Sequence, residues 1–341
     1  MSTKPLYKKR HLELDALRGI AALMVVLFHY TLYRPEADLV FKFGTTGVDL
    51  FFMISGFVIL MSIEHVNNAR EFIVNRISRL YPTYWACVSI TFLTSLLFIS
   101  SHQLSFSQWL INMTMFQYYF KTPNIDEPYW TMIIEMVFYI SMIILYHLKL
   151  LNKLTAVGLG VSILTVIVVS LFYENSITRK VFYGIPLLQY TPLFLAGTIF
   201  YRFINGQRSL LDHIIVITCL IIQVLLFEYS GRSHLFIERP AYVILLCVYF
   251  GLFYVFAYGR LGFIVNKATL FFGKISFALY LIHYKISVDI IIPYLTENLH
   301  ASFLVASCIS LAIIVALASV ITYLVEIPGS KKLKTFLNGL Y

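Results

Sequence analysis

The chain predicts an all-α integral membrane protein, a bundle of about ten transmembrane helices with both termini cytoplasmic. Three observations carry that expectation. The 341 residues are 59% hydrophobic and only 13% charged, with a mean hydropathy of +0.80, whereas a soluble domain averages about 25% charged residues. The apolar residues gather into runs near the ~20 residues needed to cross a bilayer. Lys and Arg are distributed unevenly between the segments that join those runs.

The runs span 14–33, 46–63, 80–100, 129–147, 155–173, 186–204, 211–230, 240–258, 268–290 and 301–325. Phe106–Tyr119 is apolar but short, and reads as a re-entrant or interfacial piece. The N-terminal MSTKPLYKKRHLELD has the basic character of a signal peptide. The apolar stretch behind it lacks a small-x-small cleavage site and contains Arg18, so it is expected to stay as the first helix. With the N-terminus inside and the spans alternating, inner segments hold 16 Lys/Arg and outer segments seven. That bias places both termini in the cytoplasm. The expected divisions are a basic cytoplasmic N-terminus (1–13), a membrane domain (14–325) and a basic cytoplasmic tail (326–341). The 29 Phe and 24 Tyr suit lipid-facing surface and interfacial belts. The net charge of +9 reads as topology, with no nucleic acid implied. Four cysteines inside apolar runs predict neither a disulfide framework nor a metal site.

The first span contains what a lipid-spanning helix should lack. Arg18 and His29 are eleven residues apart, which at roughly 100° per residue is three turns plus about 20°. Both therefore point the same way, with Asp15 within about 60° of that direction. Ionisable groups on one face of a membrane helix are costly and mark a functional site by default. They predict a polar cavity along the first helix. Counting inward from the outer ends of spans one and four puts His29 about 6 Å deep and Glu135 about 9 Å deep. A carboxylate beside an imidazole orients its tautomer and makes it a better proton acceptor, so a His29–Glu135 dyad is one reading. A structural hydrogen bond between helices is the other.

Three further constellations stand out. In RISRLYPTYW, Arg76 and Arg79 are neighbours on one helix face. Such a pair suits bidentate contacts to phosphate, and equally serves as an inner-side anchor; Arg70 reads as an anchor alone. In GTTGVDLFFMISGF, Asp49 begins the second span, either as a site residue or as a charge satisfying the helix dipole. In GKISFALYLIHYK, Ser276, Tyr280 and His283 form one polar stripe, which reads as site or as interhelical hydrogen bonding. Walker, HExxH, GxSxG, CxxC and dinucleotide motifs are missing from the sequence, so nothing points to metal, flavin or nucleotide hydrolysis.

Taken together these segments resemble the integral-membrane acyltransferase 3 family over nearly the whole chain. LDALRGIAALMVVLFHY resembles its first motif, GTTGVDLFFMISGFVI its second, and RISRLYPTYW its Arg-x-x-Arg motif. PYWTMIIEMVFY resembles its Trp-then-Glu motif, KISFALYLIH its late Ser–Tyr–His motif, and Glu326-Ile-Pro328 its terminal one. The resemblance implies an O-acyltransferase, most simply an O-acetyltransferase of a cell-surface polysaccharide in the bacterial cytoplasmic membrane. His29 would be catalytic with Arg18 its essential partner, and Arg76 and Arg79 would bind acyl-CoA phosphates. Glu135 would match the acidic residue after Trp130. Acetyl-CoA would be a donor substrate, with no permanently bound cofactor. Partners would be a carbohydrate acceptor, the lipid bilayer and either a second copy or polysaccharide-assembly proteins. Two departures matter. Met136 stands where many members carry a second Glu, and Phe277 and Ala278 stand where Tyr and Ser are frequent. The extracytoplasmic hydrolase-like domain of some members is not expected. Two routes fit, direct transfer and passage through an acetyl-histidine at His29. The rival classes are a transporter or flippase of a polysaccharide precursor and a non-catalytic assembly subunit.

Overall fold

Glycine decides which helices meet at the centre. The computed structural model describes residues 10–32, 41–99 and 104–339. In it α1 (Leu12–Thr31) crosses α11 (Lys267–Tyr284) with Gly19 laid against the backbone of Gly273. A Cβ on Gly19 would stand 2.6 Å from the Gly273 nitrogen, and one on Gly273 would run into the carbonyl oxygen of Asp15. α2 (Gly47–Ile63) crosses α8 (Thr191–Ile204) in the same way, Gly56 against the Phe194 carbonyl and Gly197 against the Met53 carbonyl. These are the two most extensive helix pairings of the fold. Lipid tails are as apolar as leucine, so helices in a membrane associate through close packing of this kind rather than through a hydrophobic drive.

Around these pairs lie α3 (Ala69–Phe98), α5 (Trp130–His147), α6 (Leu154–Phe172), α9 (Leu210–Leu225), α10 (Arg239–Ala257) and α12 (Phe303–Ile321). The short α4 (Phe106–Asn112) and α7 (Ser176–Gly184) lie in the connections, and α13 (Ile327–Gly339) packs on α3. Several helix starts are set locally. The Asn68 side chain accepts from the Glu71 N–H, Ser209 and Asp212 form a reciprocal box, and so do Asn266 and Thr269.

Among the described residues each of the ten expected segments contains a helix, and no strand occurs. Seven helices are long and apolar enough to cross a membrane: Phe41–Ile63, Ala69–Phe98, Glu127–His147, Leu151–Phe172, Arg239–Ala257, Lys267–Asn298 and Phe303–Gly339. The chain is an all-helical, multi-pass membrane protein. The expected spans 186–204 and 211–230 are shorter than hydropathy suggests, at 14 residues for α8 and 16 for α9. Pro186 opens a separate 3-10 turn, Pro192 starts α8, and residues 226–230 turn away after α9. α3 errs the other way. It begins at Ala69, eleven residues before the apolar run, because Arg70, Arg76 and Arg79 depress the hydropathy of a continuous helix. α11 and α12 continue through π-helical turns, Lys285–Ile291 and Tyr294–Asn298 after the first and Thr322–Glu326 after the second. Asp15 is not drawn into the core; it pairs with Arg10 at 2.7 Å in the first turn of α1.

Gly273→Ala is expected to destabilise the protein by about 1–3 kcal/mol through overpacking against backbone. Gly160, inside α6, has open space around a built Cβ. Gly160→Ala should therefore be neutral or stabilise by up to about 1 kcal/mol. Thermal unfolding of the detergent-solubilised variants checks both.

Candidate active site

The α1–α11 crossing brings the polar faces of both helices inward, and two cavities open beside them. The first is lined by Arg18 of α1, Arg76 and Arg79 of α3, Lys274 of α11, Glu135 of α5 and Glu326. Four cations face two carboxylates there, so the cavity favours anions. Arg76 is 8% exposed. Its Nη2 donates to Ser62 Oγ at 2.9 Å, and its guanidinium lies over the rings of Phe72 and Tyr139 at 5.6 and 6.0 Å. Its buried Nε has no hydrogen-bond partner among the described residues. Arg70, six residues further back, faces away and donates to the Leu337 carbonyl at 2.9 Å, tethering α13. The π-helical turn Thr322–Glu326 presents Glu326 to the cavity. Ser276 also lines it, its hydroxyl donating to the Gly273 carbonyl at 2.9 Å.

The second cavity is lined by His29, Asp49, Glu127, Trp130 and Arg232 among others. Arg232, from the loop between α9 and α10, pairs with Glu127 and lies 5.3 Å over the Trp130 ring. Asp49 is 3% exposed, and its Oδ2 has no hydrogen-bond partner among the described residues. Val48 and Tyr280 line both cavities, so the two spaces meet at these side chains. The Tyr280 hydroxyl is held 3.0 Å from Thr131 Oγ1 and 3.3 Å from the Pro128 carbonyl, at the start of α5.

The polar face of α1 is as the sequence predicts: Arg18 opens on one cavity and His29 on the other, about 16 Å apart along the helix. The expected pairing of His29 with Glu135 is not formed. Glu135 accepts from Ser55 Oγ at 3.3 Å and from the Tyr139 hydroxyl, inside the basic cavity. A shared depth fixes height but not the direction a helix faces, and α5 turns Glu135 toward α2 and α3. His29 instead meets His283, whose Nε2 lies 2.9 Å from His29 Nδ1. The stripe on α11 is thus divided: Ser276 at the basic cavity, Tyr280 at the junction, His283 against His29. Sequence reasoning left Lys274, Arg232 and Glu127 out of the site. Lys274 lies within an apolar run, and the others lie in connecting segments.

No solved structure matches the chain. A protein of Acidianus two-tailed virus provisionally named an acetyltransferase is 23% identical over 280 residues, covering 78% of this chain and 80% of its own. A Bacillus subtilis protein provisionally named a peptidoglycan O-acetyltransferase is 26% identical over 196 residues, covering 50% of this chain but only 30% of its own. The sequence profile described as an acyltransferase domain matches residues 11–323. A polar, charge-lined interior within an apolar helical bundle and a profile match over nearly the whole chain lead to one assignment: the chain belongs to the acyltransferase 3 family.

Proposed function

We propose that the protein is an O-acyltransferase of the bacterial cytoplasmic membrane, moving an acetyl group from cytoplasmic acetyl-CoA to a hydroxyl of a cell-surface or exported polysaccharide. The observation that carries this reading is the pairing of a cation-lined cavity with a histidine-bearing one across a single junction at Val48 and Tyr280. Acyl-CoA has its phosphates at one end and its thioester at the far end of a linear arm, and two joined cavities of this kind match that separation. The names of both relatives favour acetyl, and one names a glycan acceptor.

On this reading Arg76, Arg79 and Lys274 hold the donor phosphates. Arg76 is suited by its open Nε and by a guanidinium fixed between two rings. Arg18, about 16 Å along α1 from His29, is too distant to share an oxyanion with it and serves the donor. Glu135 and Glu326 supply counter-charge that keeps the empty cavity tolerable. The arm passes Val48 and Tyr280, and the thioester arrives beside His29. The acceptor hydroxyl gives its proton to His29 as its oxygen attacks the thioester carbonyl carbon. The carbon–sulfur bond then breaks, the thiolate recovers the proton from His29, and CoA leaves as the thiol beside the new ester.

Three measurements test this. His29→Ala is expected to lower transfer of labelled acetyl from acetyl-CoA to an acceptor glycan by about 10²–10⁴-fold, with donor binding retained. Full transfer by that variant would end the proposal. Replacing Arg76 and Arg79 by Ala should weaken acetyl-CoA binding by roughly 10–100-fold per lost charge-assisted contact, read by calorimetry. Unchanged affinity would return both residues to anchoring. Val48→Trp should close the junction, so that free CoA still competes for the basic cavity while thiol release from acetyl-CoA stops. A transporter without chemistry would release no thiol in any variant.

A further inference from the structure

His283 has both ring nitrogens committed, and their partners fix where its proton lies. The residue is fully buried, and its Nδ1 stands 2.8 Å from the carbonyl oxygen of Tyr280. A carbonyl can only accept, so that nitrogen carries the hydrogen and donates it. In a neutral imidazole the other nitrogen, Nε2, then has a lone pair. No carboxylate hydrogen-bonds to the ring among the described residues, and an unpaired buried charge is costly, so the neutral form is the one this site supports. That lone pair lies 2.9 Å from His29 Nδ1. Among the described residues the only other group on His29 Nδ1 is the Val25 carbonyl, also at 2.9 Å and also an acceptor. His29 Nδ1 is therefore the protonated nitrogen, and Nε2 is the one left, unprotonated, for the cavity that His29 lines.

From this we infer that His283 is a positioning residue that orients the His29 ring and reserves its Nε2 as the proton acceptor. The inference rests on the acyltransferase reading of His29 given above. His283 takes the place that a carboxylate holds beside many catalytic histidines. When His29 becomes an imidazolium, the Nδ1–H bond to the His283 lone pair shares its charge without placing a carboxylate in the apolar interior.

The surroundings hold His283 in place from two sides. A π-helical turn starts two residues later, at Lys285, and releases the backbone N–H there from the α-helical pattern. That N–H donates to Asp126 Oδ1 at 3.1 Å, and the same oxygen accepts from the Glu127 N–H at 2.8 Å. The segment leading into α5 therefore clamps the helix just past His283. On the opposite side the Tyr30 hydroxyl lies 2.7 Å from Ser287 Oγ, fixing α1 to the π-helical turn one residue beyond His29.

The test compares His283→Phe, which keeps the bulk and loses the acceptor, with His283→Gln, whose amide oxygen reaches the place of Nε2. His283→Phe is expected to lower kcat by about 10–100-fold with the acetyl-CoA KM unchanged, and His283→Gln to restore most of the rate. ¹⁵N NMR of histidine-labelled wild-type protein, with the His29 signal identified by its loss in His29→Ala, should show a protonated Nδ1 and a bare Nε2. Wild-type kcat in His283→Phe, a Gln variant as slow as the Phe variant, or a proton on His29 Nε2 would each overturn the inference. The NMR result decides even if His283→Phe does not fold. Loss of activity in His29→Ala alongside full activity in His283→Phe would reject the role of His283 and leave the acyltransferase reading intact.

Discussion

The contact between Gly19 and Gly273 sets the geometry of everything polar in this protein. Because neither residue has a side chain, α1 and α11 approach until one backbone rests on the other. Arg18 is then carried to the cavity that Lys274 and Ser276 also line, and His29, three turns on, reaches His283. A wider crossing would leave these groups facing each other across a gap that lipid or water would fill. The second glycine pair, Gly56 and Gly197, does the same for α2 and α8, and so fixes Val48 at the wall between the cavities and Asp49 beside it in the second.

The interior that results is strained electrostatically. Burying a polar group without its hydrogen bonds costs about 1–3 kcal/mol, and Arg76 Nε and Asp49 Oδ2 are both left in that condition. The two lie in different cavities, and each is a group of the sign or polarity that a substrate could satisfy: a cation's donor where phosphate is proposed, a carboxylate where a hydroxyl is. The neutral His29–His283 pair shows the opposite economy. Both ring nitrogens of His283 are used, and the pair needs no formal charge until a proton arrives.

Much of this was legible in the sequence, and the remainder was hidden for definable reasons. Residue spacing on a single helix is a rigid ruler, so the common face of Arg18 and His29 and the adjacency of Arg76 and Arg79 could be read directly. Partnership between helices was not legible, since hydropathy gives the height of Glu135 but not the direction it faces; His283 was visible as part of a stripe but not as the partner of His29. The ends of α3 and α8 were misplaced where arginines or prolines separate the apolar run from the helix, and α9 ends at Leu225 although the apolar run continues into a turn. Arg232 and Glu127 come from connecting segments, where no periodicity signals a shared site.

The meeting of the two cavities at Val48 and Tyr280 has a consequence for the cell as well as for the chemistry. A continuous polar bore through a bilayer would conduct protons and small ions, and each elementary charge that crosses dissipates about 2.3 kcal/mol per 100 mV of membrane potential. An aliphatic side chain and an aromatic ring whose hydroxyl is held by Thr131 and Pro128 form a septum between the two cavities. Such a septum can yield to a slender flexible arm, which fills the opening as it passes, and close behind it. On the proposed donor route, the same two residues would then also preserve the membrane's insulation.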